Sequence, residues 1–298
     1  MMRILFITKS SCLGNKNRTI HYDWIKEGNH NVQFWGKGFT DTSLLSLRKK
    51  IKSFKPKYIY MTMRNKYKYW LPDLTNIKVP KIFVEVDTFN YNRSDIWYKQ
   101  FDKIYCRQAY WNPKSAEYSN ILGNIEDFKK KLYFATTWLN TPVLHWSIST
   151  NCFPVIDYKR KHVRFVGNYK KPEYIYRKRL QQLLRQCKCK FSRVSGMNNY
   201  LELLHSTSAL ICPTESSYGD FVPAKLFEYL ASGAAVLTNC NLKTYGVPEL
   251  EKYVIKYNGI QDLKNKLKYI DFTAYHNKAK EIMKNHTHKI RYKELFGR

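Results

Sequence analysis

Lys225 and Glu228 stand three positions apart in the run Asp220-Phe-Val-Pro-Ala-Lys-Leu-Phe-Glu-Tyr-Leu-Ala-Ser-Gly-Ala-Ala-Val-Leu-Thr-Asn239. On a helix that spacing puts both side chains on one face. There an ammonium can meet a diphosphate, and a carboxylate can accept hydrogen bonds from the two hydroxyls of a ribose. Gly233 ends such a helix as a C′ glycine does, and the apolar stretch Ala234-Ala-Val-Leu237 follows as a buried strand. The run therefore has the parts of a seat for a nucleotide sugar. It also fits an ordinary glycine-terminated helix with one solvated Lys and one solvated Glu, so the rest of the chain has to separate the two readings.

The elements that must position these groups read as two alternating α/β domains. Arg3 to Thr8 is a short apolar run, followed by a helical pattern through Ile20, Trp24 and Ile25 that ends near Gly28, then a strand at Asn31 to Trp35. Further strands are expected at Tyr58 to Met61, Lys81 to Val86 and Ile104 to Cys106, separated by helix-length segments, which implies a mostly parallel sheet. The pattern restarts at Val163 to Gly167. A helix from about Glu173 to Cys187, a strand around Phe191, a helix Asn198 to His205 and a strand Ala209 to Cys212 precede the Lys225 helix and a strand Ala235 to Thr238. The expected fold class is α/β with two doubly wound domains, residues 1–155 and 156–298, divided near the strand-poor stretch Ser147 to Pro154. The closing helices, from Ile260 onward, are placed to pack back on the first half. In two such domains facing a cleft, ligands sit at the carboxyl ends of the strands.

Composition narrows the partners. Hydrophobic residues make up 44% and aromatics 16% of 298 residues, too much apolar material for a disordered chain. The longest apolar stretches are a handful of residues, far short of the roughly 20 that cross a bilayer, and the amino terminus lacks the features of a secretory signal. A cytoplasmic protein with no transmembrane segment is expected. Seven scattered cysteines make no disulfide framework and are expected to be reduced. Cys187-Lys-Cys189 with His162 lacks the second Cys pair of a structural zinc site.

Charge is the second strong signal, with 52 Lys and Arg against 23 Asp and Glu, net +29. Residues Lys159 to Arg193 carry 13 basic side chains and one acidic one, Glu173. Residues Arg48 to Trp70 carry nine basic, no acidic and six aromatic residues. Cations interleaved with rings suit a polyanion with exposed bases, so nucleic acid leads the partners. A merely solvated Lys-rich surface and an anionic membrane surface are the competing readings.

At this point the residues resemble glycosyltransferases of the GT-B fold, which have two Rossmann-like domains. Phe165-Val-Gly167-Asn168 and the basic helix around Tyr174-Ile-Tyr-Arg177-Lys-Arg179 look like the strand, glycine turn and helix that open the donor domain. The Asp220 to Asn239 run looks like its donor-sugar helix, and His286-Thr-His-Lys-Ile-Arg291 is similar to the closing helix of spore-maturation-type members. Within that fold the closest likeness is to bacteriophage DNA β-glucosyltransferases, in which a basic residue three before the ribose-binding Glu touches the diphosphate. That family usually has Arg where Lys225 stands, which keeps the charge but loses the bidentate fork. The resemblance implies a nucleotide-sugar-dependent hexosyl- or pentosyltransferase with a UDP-sugar donor.

Such transfer needs stabilisation of charge on the leaving diphosphate and a base for the acceptor hydroxyl. Lys225, Arg177 and Arg179 are the candidates for the first role, although two residues apart on a helix do not share a face. Gly167 and Asn168 would bring the turn close to the phosphates, with backbone N–H groups at the following helix start. Asp87, at the end of an apolar strand, is the candidate base, with Glu85 in reserve as either a base or a buried structural partner. Asp220 is the candidate for the donor sugar's hydroxyls, and Gly196 for the nucleobase. Glu85-Val-Asp87 imitates the acidic metal triplet of the other glycosyltransferase fold, but the basic second half does that metal's work, and no obligatory metal is expected.

Three functions are consistent with these residues. The leading one is transfer of a sugar from a UDP-sugar to a hydroxylated, for example hydroxymethylated, base of double-stranded DNA, as in phage DNA modification. A second is the same chemistry on a cell-envelope polymer or protein. The third is a non-catalytic nucleic-acid-binding protein on the same fold. Oligomeric state has no signature in the chain.

Overall fold

The computed structural model describes residues 2–12, 31–64, 67, 69–86, 88–107, 125–167, 175–187, 189–192, 197–213, 215–216, 219–220 and 222–297. They form two compact units. The first gathers Met1–Ala109, Tyr133–His145 and His288–Arg298, and the second Tyr110–Leu132 and Trp146–Thr287.

Among the described residues the first unit contains five strands: β1 (Arg3–Ile7), β2 (Asn31–Trp35), β3 (Tyr58–Thr62), β4 (Lys81–Glu85) and β5 (Lys103–Cys106). Their order is β2-β1-β3-β4-β5 and every pairing is parallel. Strands of such a sheet are apolar on both faces, and the period-2 alternation assigns each residue to one of two cores. Leu5, Ile7, Ile59, Met61 and Phe83 pack with Trp35, Tyr98 and Trp138. Ile4, Phe6, Tyr60, Ile82 and Val84 pack instead with Leu144 and with Tyr292, Leu295 and Phe296 of the closing helix His288–Phe296.

Local chemistry sets the element ends. Ser43 caps the helix Leu44–Phe54 by accepting from the Ser46 N–H, and Lys55, in the left-handed region at φ 50, ends it before Pro56. Lys81 is buried within β4, and its ammonium donates to the Ile77 carbonyl at 2.7 Å and pairs with Asp102 at 3.2 Å. Against the rise that partial burial would bring, the Lys81 backbone N–H, donating to Asp102 at 2.7 Å, and the ammonium together hold the Asp102 carboxyl below its usual range.

The second unit repeats the plan with β6 (Lys161–Val166), β7 (Lys190–Ser192), β8 (Thr207–Cys212), β11 (Ala235–Thr238) and β12 (Ile255–Lys256). The order is β12-β11-β8-β6-β7, again all parallel, and a short antiparallel pair, β9 (Glu215–Ser216) with β10 (Gly219–Asp220), stands apart from it. Phe165, Ala209, Ile211, Ala235 and Leu237 face Leu180, Leu183 and Leu184 of the helix Ile175–Gln186, with Leu263. The helix Ala224–Ala231 packs on β8 and β11.

Renumbered within each unit, both sheets run 2-1-3-4-5. In a doubly wound sheet of that order the strand direction of travel reverses between the first and third strands, and the crevice at their carboxyl ends is where ligands bind. That point lies between β1 and β3 in the first unit and between β6 and β8 in the second.

Candidate functional site

The second unit's reversal point carries the predicted Lys225–Glu228 pair. The helix Ala224–Ala231 starts after Pro223, which supplies no side-chain cap, and stops at Ser232 and Gly233, whose φ of +78° lets the chain turn into β11. Upstream, the Trp146 indole N–H donates to the Val222 carbonyl at 2.8 Å, with both residues buried, and fixes the approach to the helix.

Lys225 and Tyr229, one turn apart, both reach the end of β6. The Lys225 ammonium donates to the Val166 carbonyl oxygen at 2.9 Å and the Tyr229 hydroxyl to the same oxygen at 3.1 Å. A Cβ on Gly167 would lie 3.6 Å from that ammonium, at ordinary contact distance, so the glycine turn runs directly beside the cation. Glu228, half-buried, accepts a 2.5 Å hydrogen bond on Oε2 from the hydroxyl of Tyr200 in the helix Met197–His205. Burial raises the Glu228 carboxyl above the usual carboxylate range, while the Tyr200 hydrogen bond and the Lys225 charge oppose the rise. Burial and Glu228 together push the Tyr200 phenol well above its ordinary value.

The structure thus brings Gly167 and Lys225 together at the end of β6, with Glu228 on the same helix and within electrostatic reach of Lys225. Asp87, Asn168 and Gly196 lie outside the described residues. Arg177 and Arg179 belong to the helix Ile175–Gln186, and Asp220 to β10, where it pairs with Glu215; the side chains of all three lie outside the described ones. Tyr200 and Tyr229 escaped sequence reasoning. Tyr229 had a usable signal, since it falls four residues after Lys225 on the same helical face; Tyr200, 28 positions from Glu228, had none.

The first unit's reversal point is built differently. Tyr67, buried, accepts from the Thr62 N–H at 3.2 Å and donates to the Ile7 carbonyl at 2.8 Å, so its ring bridges the ends of β3 and β1. Met63, just past β3, adopts a left-handed φ of 66°. Glu85 is fully buried; its Oε2 accepts from the Tyr98 hydroxyl at 2.9 Å and the Arg64 N–H at 3.4 Å, and its Oε1 from the Val86 N–H at 2.9 Å. Arg64 itself lies 5.0 to 5.3 Å from the ring centroids of Tyr91, Trp97 and Tyr98 and pairs with Asp95 at 2.8 Å. Of the two readings of Glu85, this geometry matches the buried structural partner.

No protein-family model matches the chain, and no curated protein sequence does. Solved structures do. HepE of Anabaena, solved with UDP and glucose, superposes with a TM-score of 0.59 at 12% identity over 99% of this chain and 98% of its own. The chain has the GT-B fold. AviGT4, a glycosyltransferase involved in avilamycin A biosynthesis, shares the GT-B arrangement at TM-score 0.54 and 10% identity, covering 100% and 99% of the two chains. WaaG, a glycosyltransferase involved in lipopolysaccharide biosynthesis, does so at TM-score 0.50 and 9% identity, covering 99% and 100%. Identities this low speak for the GT-B architecture alone. Among the described residues no helix is long and apolar enough to cross a membrane, and no three His, Cys, Asp or Glu side chains form a metal-binding group.

Proposed function

We propose that this protein is a nucleotide-sugar-dependent glycosyltransferase that binds a UDP-sugar at the carboxyl end of β6. One observation carries the reading: Lys225 and Glu228 stand on one helical face at the second sheet's reversal point, the cation over Gly167 and the carboxylate beside it. In this reading the Lys225 ammonium meets the diphosphate and Glu228 accepts the ribose hydroxyls. HepE, with the same fold, has been solved with UDP-glucose, which supports the choice of donor.

The reaction follows from the parts. The acceptor oxygen attacks the anomeric carbon, the bond from that carbon to the β-phosphate oxygen breaks, and UDP leaves with both bonding electrons. Lys225, with Arg177 or Arg179, neutralises the charge that develops on the leaving group. Asp87 takes the acceptor hydroxyl's proton, and Gly167 and Asn168 line the phosphate turn. Asp220 holds sugar hydroxyls and Gly196 touches the base.

For the acceptor we favour a hydroxylated base in DNA. Support comes from the net charge of +29 and from exposed Arg48, Lys49, Lys52, Lys55 and Lys57 on and after the helix Leu44–Phe54, which contains no acidic residue. An anionic cell-envelope polymer is the second reading, favoured by the fold shared with WaaG of lipopolysaccharide biosynthesis.

The test is to incubate the protein with a panel of UDP-sugars and with plain or hydroxymethylated DNA, then weigh the released nucleosides and quantify UDP. A sugar-sized mass gain on the modified nucleoside is expected. Glu228→Ala should abolish it, and Asp87→Asn should slow transfer about 100- to 10,000-fold while leaving UDP affinity unchanged. UDP release with an envelope polymer but not DNA would select the second acceptor. Absence of UDP binding and of turnover with every donor would reject the enzyme.

A further inference from the structure

Glu228 is the group whose aim decides whether a ribose can be held, and its aim is set from another helix. The Tyr200 hydroxyl donates to Oε2 at 2.5 Å, across 28 positions of sequence. A hydrogen bond to a charged acceptor is among the stronger ones a protein makes, and it fixes the otherwise soft last torsion of the Glu side chain. Oε1, by contrast, receives no hydrogen bond from the described residues. Two further features fit. The Tyr200 phenol stays protonated throughout the working range, because burial and the neighbouring carboxylate raise it, so it is a permanent donor. Burial raises the Glu228 carboxyl, and that donor and Lys225 both work against the rise by favouring the carboxylate form.

Resting on the reading that Glu228 receives the ribose, we propose that Tyr200 is a positioning residue: its hydroxyl locks the Glu228 carboxylate so that Oε1 is presented to the ribose 2′- and 3′-hydroxyls. Tyr200 touches neither sugar nor phosphate in this arrangement and acts through Glu228. Its removal therefore weakens one part of the nucleotide contact and spares the rest.

The experiment compares the affinities of UDP and 2′,3′-dideoxy-UDP, by calorimetry, for the wild type, Tyr200→Phe and Glu228→Gln. In the wild type UDP should bind about 10- to 100-fold more tightly than its dideoxy analogue, the scale of hydrogen bonds to a charged group. In Tyr200→Phe that ratio should shrink about 10-fold through weaker UDP binding, with the dideoxy analogue bound as before. Equal weakening of both nucleotides, or an unchanged ratio, would overturn the role of Tyr200. A wild type that binds both nucleotides equally, or that is indifferent to Glu228→Gln, would overturn the ribose reading itself, and the positioning role with it. Should Tyr200→Phe be too unstable to assay, 3-fluorotyrosine incorporated at Tyr200 makes the same comparison. Its more acidic phenol donates more strongly and should widen the ratio, and no change would reject the role.

Discussion

The ammonium of Lys225 rests on the carbonyl oxygen of Val166 at 2.9 Å, a contact across 59 positions that pins a helix's cation to the end of β6. Replacing it separates charge from packing. Lys225→Met keeps most of the aliphatic stem and should lower sugar transfer about 100- to 1,000-fold, with UDP affinity falling and uridine affinity unchanged. Lys225→Arg, which keeps the charge, should restore much of the loss. Calorimetry with UDP and uridine and a UDP-release assay check both.

Gly233 tests the turn that delivers the helix into β11. At φ +78° a side chain is strained, and a Cβ there would meet Asn277 Oδ1 at 2.3 Å and Arg160 Nη2 at 2.8 Å. Arg160 donates from Nη2 to the Ser232 carbonyl at 2.7 Å and from Nη1 to the Thr207 carbonyl at 3.2 Å, so it has little room to yield. Gly233→Ala should cost about 2–4 kcal/mol of stability, read as a shift in the urea midpoint.

His288 predicts how stability responds to acid. It is buried, and burial with the Arg107 charge lowers its imidazole to about 2 from 6.5. The unfolded chain binds a proton below about pH 6.5 that the folded chain refuses, so this contribution is full above that pH and is lost as pH falls. The slope expected is about 1.4 kcal/mol per pH unit for one proton. His205 and His276, also lowered by burial, add slope of the same sign. Denaturant midpoints at pH 7.5, 6.0 and 5.0 should fall in that order, and His288→Phe should flatten the trend.

Tyr67 supplies a contrast between the two sheets. Tyr67→Phe removes the hydroxyl that joins Thr62 N–H to the Ile7 carbonyl, and should destabilise the protein by about 1–3 kcal/mol. UDP affinity should be unchanged, since the proposed donor site belongs to the other sheet. A UDP affinity that drops with Tyr67→Phe would place the nucleotide in the first unit.

Legibility in the sequence tracked locality. The strands at Asn31–Trp35 and Ala235–Thr238 and the stop at Gly233 were readable because a strand's apolar run and a helix's terminal glycine are written in neighbouring residues. The shared face of Lys225 and Glu228 was readable for the same reason, as a consequence of helical period. The short pair β9–β10 and the two-residue β12 were not, since strands of two residues carry too few positions for any period to show.

The amino-acid sequence by itself determined the alternating α/β plan, the basic character and the pairing of a cation with a carboxylate on one helix, all properties of composition and of spacings under five residues. Only the tertiary structure decided what those groups touch. Val166 under Lys225, Tyr200 against Glu228 and the joining of His288–Arg298 to the first unit each link positions tens to hundreds of residues apart. Such links depend on strand order and packing across the whole chain, and strand order leaves no trace in any local stretch of residues.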